Sequence, residues 1–69
     1  SNKFMLKFIN DLFDFYSIEY CLIGDILLGN YIFNGINIFK EDLELVTLKN
    51  NFTKIENLKE YLENNDFNI

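Results

Sequence analysis

The sequence has no histidine, no proline and no tryptophan, and it has one cysteine and three glycines. Each scarcity excludes something. Without histidine the chain lacks the usual general base near neutral pH and the commonest metal ligand. A metal would have to be held by carboxylates, which favour hard ions such as magnesium or manganese. Cys21 alone cannot close an internal disulfide, so a reducing, cytoplasmic setting is expected. Basic residues are also scarce: six Lys and Arg stand against eleven Asp and Glu, for a net charge of −5. That balance argues against binding a nucleic-acid backbone, which needs a basic surface. It leaves room for a small nucleotide held through a divalent metal. No apolar run reaches the roughly 18 residues of a membrane span. Ser1-Asn2-Lys3 does not open a signal-peptide pattern. No membrane partner is expected.

What is present is the composition of a folded protein. Of the 69 residues, 49% are hydrophobic and 17% aromatic. That length is one small domain, residues 1–69, either whole or a piece of a longer chain. Domains of this size are marginally stable and often gain stability by association. A protein partner or self-association is therefore expected. Eight Phe and four Tyr read first as an unusually aromatic core. An exposed apolar contact surface is the rarer alternative.

Residues 3–16 read as a helix, with Met5, Phe8, Ile9, Leu12, Phe13 and Tyr16 on one face. Ile18 to Ile23 is short, rich in β-formers and stopped by Gly24, as a buried strand is. Asp25 can cap a helix over residues 26–33, in which Gly29 marks close packing. Asn34-Gly35 is a turn signal, and Ile36 to Phe39 reads as a short extended piece. Asp42 to Thr47 alternates charge with Leu and then turns apolar, which reads as a second strand. Thr53 caps a last helix over residues 54–63, with Glu56 at the capping-box position. Its apolar face is Ile55, Leu58, Tyr61 and Leu62. Asp66 to Ile69 can begin another strand. The expected class is α/β, in the order α-β-α-β-α. The alternative is an all-α four-helix bundle over residues 3–16, 19–33, 40–50 and 54–64.

Two spots have residue types suited to chemistry. The amides after Gly24, at the start of the helix over 26–33, are candidates for holding a nucleotide phosphate. Asp25 would sit at the same positive end and repel an anion. In a strand, Asp42 and Glu44 project from one face and could share a metal ion. In a helix they would point about 200° apart and could not.

These pieces resemble the N-terminal half of a nucleotidyltransferase of the DNA polymerase beta-like superfamily. The resemblance runs over residues 4–69 through the first helix, Tyr20-Cys21-Leu22-Ile23-Gly24-Asp25, the helix 26–33, and Asp42-Leu43-Glu44-Leu45-Val46. The nearest flavours are the minimal antitoxin-type enzymes and the phosphocholine-transferase branch. Gly24, Leu27-Leu28-Gly29, Gly35 and Asp42-Leu43-Glu44 fall in register with the latter. The resemblance implies magnesium held by Asp42 and Glu44, and a nucleotide at Gly24 and Asp25. Several positions depart from the family pattern. Asp25 stands where Gly or Ser is usual, and Glu44 where Asp is. Ile32 and Ile38 stand where a basic residue is common, and no third carboxylate strand follows. The expectation is a degenerate unit, inactive on its own, acting as an interaction or regulatory module. The active alternative is a magnesium-dependent nucleotidyltransferase completed by residues outside the chain.

Residues 12–63 also resemble an acyl or peptidyl carrier protein. Leu12 to Tyr20 falls at the prosthetic-group motif, and Glu41-Asp42-Leu43 and Asn51 to Leu58 echo its last two helices. Tyr20 stands where the modified serine belongs, so no phosphopantetheine could attach there. A helical docking or dimerisation module without an active site completes the alternatives.

Overall fold

The computed structural model describes residues 2–23 and 35–69. The Gly24-Asp25 turn, the helix over 26–33 with Gly29, and Asn34 lie outside the described residues.

Helix α1 spans Asn2–Phe15, strand β1 Tyr20–Leu22, β2 Gly35–Lys40, β3 Leu43–Leu48 and helix α2 Phe52–Asn64. The chain is therefore mixed α/β. The strands form an antiparallel sheet in the order β1-β3-β2. The four-helix alternative is wrong, because its segments 19–33 and 40–50 contain β1 and β3. A helix would have put Leu43 and Leu45 on different sides. Period-two alternation instead sends Leu43, Leu45 and Thr47 to one face, where all three are buried.

Both helices cover that face. Met5, Ile9 and Phe13 of α1, and Ile55, Leu58 and Leu62 of α2, share one core with Ile38, Leu43 and Leu45. On the other face Cys21, Asn37, Phe39, Glu44 and Leu48 are exposed, while Val46 is buried. Several boundaries differ from expectation, and the strand expected to be buried over 18–23 is Tyr20–Leu22 with Cys21 exposed. The extended piece 36–39 is a full strand beginning at Gly35. The strand expected over 42–47 runs from Leu43 to Leu48. The hairpin turn is Glu41-Asp42, closed by the Lys40–Leu43 pair. Glu41 adopts a left-handed φ of 54°, which a two-residue hairpin turn demands.

The helix ends explain how the chain re-enters the core. At the end of α1, Ser17 N–H donates to Asp14 O (3.1 Å) and Ile18 N–H to Phe13 O (2.7 Å). At the end of α2, Asp66 N–H donates to Glu63 O (3.0 Å) and Phe67 N–H to Leu62 O (3.0 Å). Both are Schellman motifs, with Ser17 (φ 56°) and Asp66 (φ 68°) at the left-handed position. Each delivers an apolar residue, Ile18 or Phe67, onto the buried residue that opens the motif, Phe13 or Leu62. The chain then continues to β1 in one case and to Asn68 in the other. Asn68 exchanges both backbone hydrogen bonds with Phe39, at 2.7 and 2.8 Å. The strand start expected at 66–69 is thus a single bridge.

Polar groups are used sparingly inside. Thr47 Oγ1, 1% exposed, donates to Glu19 O at 2.7 Å and accepts from Asn51 Nδ2 at 2.9 Å. This ties β1, β3 and the 3-10 turn Lys49–Asn51 together. Thr53 lies inside α2 and does not cap it. The residue at the cap is Asn51, whose side chain makes no cap bond and instead donates Nδ2 to Thr47 Oγ1. Lys40 Nζ donates to Asn65 O at 3.0 Å and sits 5.3 Å from the Phe67 ring centroid. A cation here satisfies an orphan carbonyl and complements the dipole of α2.

Candidate functional site

The hairpin positions one candidate pair of carboxylates. Glu44 lies on the exposed outer face of β3, opposite Phe39 and diagonal to Asn37. Its Oε1 accepts a hydrogen bond from Asn37 Nδ2 at 3.0 Å. Asp42 is the second residue of the turn and exposed. The strand alternation that would give the two carboxylates a common face begins only at Leu43. Magnesium is held by one or two carboxylates together with waters and substrate phosphates, in near-ideal octahedral geometry. The hairpin supplies one strand carboxylate already engaged by an amide and one carboxylate in a turn. Among the described residues no three Cys, Asp or Glu side chains gather as a ligand set. Asp42 and Glu44 are thus two exposed carboxylates on one hairpin, of which Glu44 accepts from Asn37. Gly24 and Asp25, the other candidate positions, lie outside the described residues.

A second feature lies on the helix side. The aromatic excess is largely at the surface among the described residues, contrary to the core expectation. Phe13 and Phe67 are buried, but Phe4, Phe15, Tyr16, Phe39, Phe52 and Tyr61 are exposed. Some of these gather along the seam of α1 and α2. There a groove of about 590 Å³ is lined by Phe8, Leu12, Phe15, Tyr16, Leu58 and Tyr61, with Asp11 among its walls. Phe8 is its floor, stacked on Tyr61 (centroids 5.8 Å) and on Phe67 (5.6 Å). Phe15 stands 79% exposed, edge-on to Tyr16 at 5.0 Å. Asp11 is paired with Lys7 at 2.8 Å, and this hydrogen bond and charge raise the lysine pKa.

The groove was partly legible in the sequence. Phe8, Leu12, Tyr16, Leu58 and Tyr61 were all assigned to apolar faces. Phe15 lies off the predicted stripe of α1, and that offset is the signal of an exposed aromatic. In comparisons with known protein families, curated proteins and solved structures, nothing matches the chain.

Proposed function

We propose that the chain is a degenerate nucleotidyltransferase-like unit that works as a protein-interaction module. Its binding element is the α1/α2 groove, and its occupant is an amphipathic helix of a protein partner. The carrying observation is the groove itself, where aromatic side chains on two helices leave an apolar trough floored by Phe8. A helix laid in such a trough presents apolar anchors at three- and four-residue spacing. Aromatic anchors of this kind dominate binding energy at interfaces. The sequence resemblance supports the ancestry. The departures from the family pattern, Asp25, Glu44 and the missing basic residue, support a role without catalysis by this chain.

The test is a photo-cross-linker, benzoylphenylalanine, placed at Phe15 in one variant and at Phe4 in another, in cells. A discrete adduct from position 15 that disappears with Tyr61→Ser, and that position 4 does not give, supports the groove. Equal adducts from both positions, or none, defeat it. A parallel titration with magnesium and ATP or CTP follows the amide resonances. Saturable shifts at Asp42 and Glu44, lost in Asp42→Asn, would instead restore the active reading.

A further inference from the structure

We propose that the helix filling the α1/α2 groove is cationic, with an arginine or lysine beside its central apolar anchor. This names the chemistry of the partner at that same groove, and it rests on the groove being a helix site.

The groove runs along α1 from Phe8 to Phe15. That span of about seven residues rises about 10 Å, so it takes roughly two turns of a partner helix. Two turns present apolar anchors at i, i+4 and i+7. Among the described residues that line the groove, Asp11 is the charged one. It stands one turn from Phe8 and one turn from Phe15, at the middle of the trough. The countercharge of the partner therefore belongs beside its middle anchor. Asp14, exposed one turn further along α1, strengthens the same negative field.

Lys7 meets Asp11 at 2.8 Å, and this pair does not close the site. Its side chains are 73% and 62% exposed, and a pair so exposed contributes little to stability, so it opens at little cost. Its bond uses Oδ2, whereas the fork of an arginine engages both carboxylate oxygens. The aromatic walls favour the same charge. Phe15 follows Asp11 by four residues and so lies on the same side of α1. A guanidinium held by Asp11 stands next to that ring, and aromatic faces attract cations. A glutamate at this place in the partner would instead meet a carboxylate at close range, which disfavours it. A second copy of the chain is a poor occupant, because each copy carries a net charge of −5 and the two repel.

The test titrates the peptide acetyl-AQLAQRLRQLAQA-amide into the isotope-labelled protein up to millimolar concentration. Arginines flank the central leucine on both sides, so either docking direction puts one beside Asp11. Saturable shifts are expected at Phe8, Leu12, Leu58 and Tyr61. Glutamine in place of both arginines should weaken binding about two- to fivefold, and glutamate about tenfold or more. In Asp11→Asn the gap between the arginine and glutamine peptides should shrink to less than about twofold. Glu56→Gln removes the same charge from a different cleft, beside Ile36 and Ile69, and should leave the gap as it is. Equal affinity of the three peptides at the groove, or a gap that survives Asp11→Asn, would overturn the cationic partner and leave the helix groove standing. No saturable shift at the groove residues with any peptide would overturn both. Shifts there that grow with protein concentration alone would point to a second copy and overturn the proposal as well.

Discussion

Ser17 and Asp66 hold the same position in two copies of one motif. Each takes the left-handed conformation after a helix and turns an apolar residue back into the core. Neither is glycine, although a left-handed residue of this kind costs about 1–2 kcal/mol when it carries a Cβ. Ser17→Gly is expected to stabilise the fold by about 0.5–1 kcal/mol. Asp66→Gly should gain less, since Asp tolerates this region better than most residues. Urea unfolding with an unchanged slope and a raised midpoint is the readout. A lowered midpoint for Ser17→Gly would contradict the motif.

Thr47 is the buried hydroxyl on which two other polar groups depend. Thr47→Val keeps the shape but leaves Glu19 O and Asn51 Nδ2 without that partner. The expected loss is about 1–3 kcal/mol, the cost of buried polar groups left unmade. Adding Asn51→Leu to Thr47→Val should lose less than the two single changes summed. Strict additivity in the double-mutant cycle would show that the two residues are not coupled.

Lys40 links the end of β2 to the end of α2. Lys40→Met removes its bond to Asn65 O and its charge over Phe67 while keeping most of its apolar stem. We expect a loss of about 1 kcal/mol. Amide exchange at Phe39 and Asn68 should accelerate more than exchange in the centre of β3. Uniform acceleration would show that Lys40 does not hold this corner locally.

Tyr20 links stability to pH at the alkaline end. Burial raises its phenol above the ordinary value of 10.0, because desolvation disfavours the phenolate. A raised folded-state pKa means that the folded state keeps the proton longer than the unfolded one. Its stability contribution is therefore complete below pH 10.0 and is lost as pH rises through the folded value. The difference in melting temperature between wild type and Tyr20→Phe should change above that pH and stay constant below it. A constant difference across the whole range would refute the assignment.

The helices and the central strand were legible because their patterns are long or strict. Met5, Ile9 and Phe13 repeat at helical spacing. Leu43 and Leu45 repeat at strand spacing, and burial of both on one face decides against a helix over 40–50. β2 was read short because Asn37 and Gly35 are poor β-formers, and burial of Ile38 against the helices decides the matter instead. The hairpin turn is not announced in the sequence, because Glu41-Asp42 lacks the glycine or asparagine that usually marks a positive φ. The cap of α2 was misread for another reason. Thr53 has suitable chemistry, but the 3-10 turn Lys49–Asn51 runs straight into α2, so the helix begins at Phe52, before Thr53. For the candidate carboxylates, spacing alone could not separate a turn residue from a strand residue. The structure puts Asp42 in the turn, one residue before the strand that carries Glu44.

The strand order has a kinetic consequence. β3 lies in the middle, yet its two neighbours reach it by different routes. β2 pairs through a tight local hairpin, Lys40 with Leu43, whereas β1 must close the chain from Leu22 to Leu45. Local pairing requires little loop closure and distant pairing requires more, so the hairpin is expected to organise first. Truncation of Ile38 should then slow folding, while truncation of Leu22 should mainly hasten unfolding. Stopped-flow measurements with the reverse pattern would place the nucleus at β1 instead. The hairpin of β2 and β3, which carries Glu44, is then the part of the molecule that exists earliest.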